Sequence, residues 1–173
     1  MKFLINPKPW TMKWKTLLLR TMAVFVIFFI AGCDSGNGDD PKTDCGPSYC
    51  ISDLAGTWNA TELTFSACSG EGFFDLIAEG GSASLVIQTN GRFTLTVTFP
   101  DGSETFTGRM YFEDSTFFAI QFDEDPPDDP TYFGDTLSGN TFRLNGGPET
   151  AEFDFNDDGN DECASVDLTV VKS

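Results

Sequence analysis

The chain of 173 residues contains no histidine. Histidine is the most common general base and metal ligand in proteins, and it is the base of serine- and cysteine-based catalytic triads. Without it, catalysis would depend on carboxylates, hydroxyls and a few lysines. The sequence also contains no nucleophile elbow and no phosphate-binding loop. We therefore predict that the protein is not an enzyme.

Basic residues are scarce, and they are unevenly placed. The sequence has 10 Lys and Arg against 27 Asp and Glu, and half of the basic residues precede position 33, where no acidic residue occurs. The remaining cations are isolated: Lys42, Arg92, Arg109, Arg143 and Lys172. So acidic a surface repels phosphates and offers no basic stripe, which excludes nucleic-acid binding. About 120 structured residues suffice for one domain, which we expect to be monomeric.

The amino-terminal segment has the features of an export signal. Behind a basic leader, the residues from Thr21 to Ala31 are almost all apolar. Such a run is too short for a membrane-spanning helix, which needs about 20 residues, but it fits the apolar region of a signal peptide. We therefore predict that residues 1–32 are a signal peptide.

The signal segment ends with Ile30-Ala31-Gly32-Cys33, which resembles the lipobox of bacterial lipoproteins. The resemblance implies that Cys33 becomes the acylated first residue of the mature chain. The protein would then be anchored to a membrane of the bacterial cell envelope, with its domain facing the periplasm or the exterior. Residues 33–50, polar and acidic, are predicted to be a flexible tether. The alternative is an ordinary signal peptide followed by an unrelated cysteine.

Beyond residue 50, apolar and polar residues alternate with a period of two, as in half-buried strands. In the clearest segment, Phe93, Leu95, Val97 and Phe99 alternate with threonines. Further short strands are predicted over residues 56–66, 116–122, 131–137, 141–144, 149–155 and 164–172. Many short strands separated by turn signals are typical of an all-β protein. We predict that residues 51–173 form an antiparallel up-and-down β-barrel of about 8–10 strands.

Two hairpin registers follow from the turn residues. A three-residue loop with Gly91 in the left-handed conformation pairs Ile87 with Phe93 and keeps both on one face. For the next hairpin, an Asp101-Gly102 turn predicts that Val97 lies opposite Phe106.

The cysteines after Cys33 are an even number in an exported chain, which indicates two disulfides with three possible connectivities: Cys45, Cys50, Cys68 and Cys163. If the first and last strands pair with Cys68 opposite Cys163, Phe65 faces Val166 and the core faces of both strands coincide. This parity favours a Cys68–Cys163 bond across the seam of the barrel and a local Cys45–Cys50 loop. The other two connectivities remain alternatives.

Three motifs resemble those of bacterial lipocalin-like lipoproteins. They are Gly56-Thr57-Trp58 at the start of the first strand, Asn90-Gly-Arg-Phe-Thr94, and the segment 137–144. The resemblance implies an eight-stranded barrel in which Trp58 packs across the closed end, covered by a basic residue for which Lys172 is the candidate. It also implies that the barrel can hold a small hydrophobic molecule.

For such a ligand, the sequence predicts a pocket formed by Trp58, Leu95, Met110, Ile120 and Leu168, with Phe73-Phe74 as a lid. Fourteen of the 18 phenylalanines follow Cys33, and large rings can also fill a barrel of this size completely. The alternative is therefore a surface-anchored structural or protein-interaction domain with a filled, Phe-rich barrel.

Calcium is the one cofactor that the sequence suggests. Before the last strand, oxygen-bearing side chains alternate around a glycine at the sixth position, as in EF-hand-type loops: Asp154, Asn156, Asp158, Asn160 and Glu162. The twelfth position is Ser165 rather than the bidentate glutamate of high-affinity loops. The alternative is an acidic hairpin turn without a metal ion.

Overall fold

The computed structural model describes residues 42–173. The predicted signal peptide, Cys33 and most of the predicted tether lie outside these residues. The described part has one short 3-10 helix, Ile51–Leu54, and eleven strands: β1 Lys42–Thr43, β2 Gly56–Ala67, β3 Phe73–Asp75, β4 Ser82–Ile87, β5 Arg92–Phe99, β6 Gly102–Glu113, β7 Phe117–Phe122, β8 Thr131–Ser138, β9 Thr141–Gly146, β10 Ala151–Phe153 and β11 Glu162–Lys172. No helix among them has the length and apolar character needed to cross a bilayer.

Eight of the strands form a closed antiparallel barrel. Their order is β2-β4-β5-β6-β7-β8-β9-β11, and β11 returns to pair with β2. Among these eight, each strand lies beside the next one along the chain, which is the up-and-down arrangement that the strand spacing predicted. The three short strands extend the sheet locally, because β1 pairs with β6, β3 with β2 and β10 with β11. The predicted all-β barrel is confirmed.

Of the two predicted hairpin registers, one is confirmed and one is wrong. Ile87 lies opposite Phe93, and Gly91 has a φ of +80°, the left-handed conformation that glycine adopts without strain. In the next hairpin Val97 lies opposite Glu104 instead of Phe106. Pro100 and the following aspartate occupy the turn, because the fixed φ of proline suits the first central turn position. The two-residue slip leaves the inward and outward faces unchanged.

The seam between β2 and β11 has the predicted register from Glu62 to Ala67. A β-bulge between Thr169 and Val170 shifts the remaining pairs by one residue, so that Lys172 lies opposite Trp58. Phe65 lies opposite Val166, and the amide of Cys68 donates a hydrogen bond of 2.9 Å to the carbonyl oxygen of Cys163. A Cys68–Cys163 disulfide joins the two strands, with the Cα atoms 5.4 Å apart. The second disulfide closes the Cys45–Cys50 loop. Both bonds follow the connectivity that strand parity favoured.

Aromatic rings fill the half of the barrel that contains the start of β2. Trp58, Phe112, Phe118 and Phe142 are each almost completely buried. Their rings form a connected series, with centroid separations of 6.1 Å from Trp58 to Phe142, 5.6 Å from Phe142 to Phe118 and 5.5 Å from Phe118 to Phe112. Ring contacts of this kind add to the free energy gained by burying apolar area. This half of the core is therefore solid.

The two disulfides should differ in their effect on stability. The Cys68–Cys163 bond closes a loop of 95 residues and the Cys45–Cys50 bond a loop of 5. In the chain-entropy view, replacing the first pair by alanines lowers the free energy of unfolding by roughly 4–5 kcal/mol and replacing the second pair by roughly 2 kcal/mol. Urea unfolding of the two double variants measures the difference. Equal losses would contradict this account of the seam.

Candidate functional site in the barrel

One end of the barrel is sealed around Trp58. Its indole N–H donates a hydrogen bond of 2.7 Å to the carbonyl oxygen of Leu54, the last residue of the 3-10 helix. The ammonium of Lys172 lies 5.1 Å from the centroid of the indole ring and 3.3 Å from the carbonyl oxygen of Asp53. A lysine over an aromatic face gains cation–π attraction. The last strand and the first therefore close this end together with the helix.

Tyr49 completes the seal. Its ring packs edge-on against Phe112 at 5.3 Å and Phe142 at 6.2 Å. Its hydroxyl donates a hydrogen bond of 2.6 Å to Asp135, a residue of β8 whose position in the strand alternation faces the interior. Burial, and then the neighbouring Asp135, raise the pKa of Tyr49 far above its ordinary value, so the hydroxyl stays protonated. Part of the predicted tether thus packs against the barrel.

The residues predicted to form the pocket occupy different depths. Trp58 and Met110 are each 1% exposed and belong to the solid, sealed half of the barrel. Ile120 lies opposite Met110 across β6 and β7 and is also buried, as is Leu168 in the seam. Leu95 is the one member of this set that is partly exposed. A molecule that enters from the other end would meet Leu95 before the rest.

The barrel wall is low where β7 ends. The last residue of β7, Phe122, pairs with Gly108, so residues 102–107 of β6 extend beyond it toward the end opposite Trp58. Phe106, in this extension, lies opposite Leu95 on β5 and 6.3 Å from the Phe122 ring. All three side chains face the interior and are only partly buried. An apolar surface is thus accessible at this part of the rim. We call this surface, formed by Leu95, Phe106 and Phe122, the low wall.

The loop after β7 is held on the outside of the barrel by a paired contact. The two terminal guanidinium nitrogens of Arg92, Nη1 and Nη2, donate to the carboxylate of Asp123 at 2.7 and 2.6 Å, and the hydroxyl of Thr107 donates to the same group at 2.6 Å. These hydrogen bonds lower the pKa of Asp123 to about 2, so the pair stays ionised down to acidic pH. The end of β7 is therefore fixed against β5 and β6.

The rim beside the low wall is acidic. Glu104 precedes Phe106 by two residues and so projects from the same face of β6. Partial burial, and then the charges of Glu124 and Asp101, raise the pKa of the Glu104 carboxyl. Strand alternation places Arg92, Arg109 and Arg143 on the outer face. Among the described residues, only Lys172 brings a cation to the interior side, and it lies at the sealed end.

The predicted lid, Phe73-Phe74, forms β3 and divides between two environments. Phe73 is 68% exposed, whereas the ring of Phe74 stacks on Phe153 at 4.8 Å and contacts Phe65. Leu76, immediately after β3, is completely buried. Phe74 and Leu76 thus belong to the core at this end of the molecule, and Phe73 is the residue that solvent reaches.

The acidic loop between β10 and β11 brings three of the five predicted calcium ligands together. Carboxylate oxygens of Asp154, Asp158 and Glu162 lie within 4.8 Å of one another. Asp154 accepts hydrogen bonds from the amides of Asp158 and Gly159, at 3.2 and 2.8 Å. Its carboxylate therefore stabilises the turn through hydrogen bonds to the backbone amides of the loop.

The two asparagines of this loop bind its carboxylates. Asn156 donates from its side chain to Glu162 at 2.8 Å, and Asn160 donates from its side chain to Asp158 at 2.8 Å. Hydrogen bonds from Asn160, first from its backbone and then from its side chain, lower the pKa of Asp158. Such a loop can hold a hard cation through oxygen atoms, and it is also stabilised by hydrogen bonds of its own.

The chain matches no family model, no curated protein and no solved structure. The candidate site is the interior of the barrel, which is sealed at the Trp58 end and has accessible apolar side chains at the low wall. Sequence patterns located the sealing tryptophan and Leu95. They did not predict the contact of Tyr49 with Asp135, because it joins residues 86 positions apart in the sequence.

Replacing Lys172 with methionine tests the contact at the sealed end. Methionine keeps an apolar stem of similar length but loses the ammonium, so we expect the free energy of unfolding to fall by about 1 kcal/mol. Urea unfolding of the segment 34–173, in which Trp58 is the only tryptophan, measures this change through the tryptophan emission. Arg143→Met, on the exposed outer face of β9, is the matched control and should be almost neutral. An equal loss in both variants would refute the contact.

Proposed function

We propose that the protein is a lipid-anchored, lipocalin-like binding barrel of the bacterial cell envelope, without catalytic activity, which takes up a small apolar molecule at the low wall. The observation that carries this proposal is the partial exposure of Leu95, Phe106 and Phe122 inside a barrel whose other end is sealed. Ligand sites in proteins are usually concave and largely apolar, with few polar groups. The mouth of a small β-barrel is a common position for them.

The sealed end supports the lipocalin-like part of the proposal. The resemblance implied a tryptophan packed across the closed end and a basic residue covering it. Trp58 and Lys172 have this relation, although they lie at opposite ends of the barrel sequence. The lipobox-like segment that ends at Cys33 supports the membrane anchor, and the two disulfides are typical of proteins outside the cytoplasm.

The charges at the rim favour a neutral or cationic ligand. Glu104 stands two residues from Phe106, and Glu124 and Asp101 lie close enough for their charges, after partial burial, to raise its pKa. The carboxylate of a fatty acid would meet these acids without a cation to pair with, which is costly in a partly desolvated site. The solid packing around Trp58 and Met110 limits the depth of the site. We therefore propose a small neutral molecule or apolar amine.

The alternative is a structural or protein-interaction domain with a filled barrel. The buried rings of the sealed half favour it, as does the exposure of two large aromatic side chains, Phe117 and Tyr132, on the outer wall. The two functions predict different consequences of filling the low wall. Only a ligand-binding barrel loses its function when that space is occupied.

Retinol and retinoic acid, which share an apolar chain and differ in head-group charge, test the ligand proposal. The segment 34–173 suits the assay, because the closed barrel, its core and both disulfides lie within residues 42–173. We expect it to bind retinol at least tenfold more tightly than retinoic acid, measured by the fluorescence enhancement of the uncharged probe N-phenyl-1-naphthylamine and its displacement.

Two variants locate the binding site. Leu95→Trp fills the low wall and should weaken probe binding at least tenfold. Val86→Trp makes a similar change at an exposed position of β4 and should leave binding within twofold of the wild type. If the probe fails to bind, or both variants bind it equally, the ligand proposal is refuted and the filled-barrel alternative is favoured.

We also propose that the loop 154–162 binds calcium weakly, supported by the convergence of Asp154, Asp158 and Glu162. Ser165 at the twelfth position lacks the bidentate carboxylate, so an affinity in the millimolar range is expected. Calcium tenfold above its Kd stabilises the folded state by about 1.4 kcal/mol. This corresponds to a rise in Tm of roughly 4–6 °C.

Circular dichroism melting of the full chain in nonionic detergent, with calcium or with chelator, measures this effect. Asp158→Asn should abolish the rise in Tm, because it removes one converging carboxylate. Asp128→Asn removes the same charge from the loop after β7 and should leave the rise unchanged. A Tm that is indifferent to calcium would eliminate the site.

A further inference from the structure

The outer face of β6, β7 and β8 presents aromatic and acidic side chains in adjacent rows. The register places Tyr111, Ala119 and Tyr132 side by side, and it places Glu113 beside Phe117 in the next row. A shallow, open hollow lies over this part of the wall. We call it the outer-wall hollow, and its lining residues are Glu113, Asp114, Phe117 and Tyr132.

The aromatic rings of the hollow are unusually accessible. Phe117 is 57% exposed and Tyr132 is 46% exposed, although most large apolar side chains of the described chain are buried or partly buried. The two rings meet edge to face with centroids 6.4 Å apart. The hydroxyl of Tyr132 donates to the Glu113 carboxylate, and this bond, followed by burial, raises the pKa of Tyr132 to about 12. Both the ring and the carboxylate are thereby held in place.

This face already holds one ammonium group. The Nζ of Lys42 lies 4.9 Å from the centroid of the Tyr111 ring, and β1, which carries Lys42, pairs with β6 at Glu113. The Tyr111 ring is itself buried and is not among the residues that line the hollow. Its contact with Lys42 shows that an aromatic ring of this outer face can pack beneath an ammonium group.

We propose that the outer-wall hollow binds a basic side chain, lysine or arginine, presented by a segment of a partner protein. A cation placed over an accessible aromatic face gains cation–π attraction, most often as arginine in proteins. The carboxylates of Glu113 and Asp114 add Coulomb attraction from the same side. The acidity of the whole domain steers a basic partner toward it. This inference is independent of the ligand proposed for the low wall.

Short peptides in which glycine alternates with arginine, lysine or citrulline test the inference. Citrulline has nearly the shape of arginine without its charge. Isothermal titration of the full chain in nonionic detergent should give measurable binding of the arginine and lysine peptides and at least tenfold weaker binding of the citrulline peptide. Phe117→Ser and Glu113→Gln should each weaken binding of the arginine peptide about tenfold. Glutamine retains an oxygen that accepts the Tyr132 hydrogen bond.

Matched controls separate the hollow from general acidity. Phe73→Ser removes another exposed phenylalanine, and Asp128→Asn removes another acidic charge. Both should leave the affinity within twofold of the wild type. Equal weakening in variants and controls, or equal binding of the citrulline peptide, would overturn the inference. So would binding of a neutral oligosaccharide that depends on Phe117 when the arginine peptide does not bind, because the hollow would then be a sugar site.

Discussion

The pairing of β2 with β11 is the constraint on which the rest of the structure depends. It joins the two ends of the barrel sequence. One register aligns Ala67 with Ala164 through Glu62 with Thr169, next to the Cys68–Cys163 bond, and a β-bulge between Thr169 and Val170 then shifts the pairing by one residue, which places Trp58 opposite Lys172. Because side chains alternate along a regular strand, Trp58 and Leu63, five residues apart, both face the interior only because this bulge lies between them. The sealed end, the seam disulfide and the apolar interior are therefore consequences of one strand pairing and its bulge.

Much of this architecture could be predicted from the sequence because it depends on the alternation of inward and outward side chains at odd and even positions of each strand. Period-two alternation identified the strands, and Gly91 identified one turn. Parity does not distinguish registers that differ by two residues, which is why the β5–β6 hairpin was predicted incorrectly. There, the fixed φ of Pro100 determines the turn. The low wall was not predicted, since it depends on where β7 ends relative to β6. Contacts such as that of Tyr49 with Asp135 join distant segments and have no local pattern.

The acidic character of the chain affects the low wall and the outer-wall hollow in the same direction. At the low wall, Glu104 and its neighbours disfavour anionic ligands. On the outer wall, Glu113 and Asp114 favour a cation beside accessible rings. In each site an apolar or aromatic surface supplies contact area, and carboxylates select the charge of the ligand. The two sites lie on opposite faces of the sheet, so both can be occupied at the same time.

Lys42, the first described residue, pairs with β6 at the sealed end of the barrel, and only nine positions separate it from Cys33. With a lipid anchor at Cys33, this linker would leave the barrel at its sealed end and span at most roughly 30 Å. The sealed end would then be the part of the barrel attached nearest to the bilayer, and the low wall, at the opposite end, would be open to the aqueous compartment.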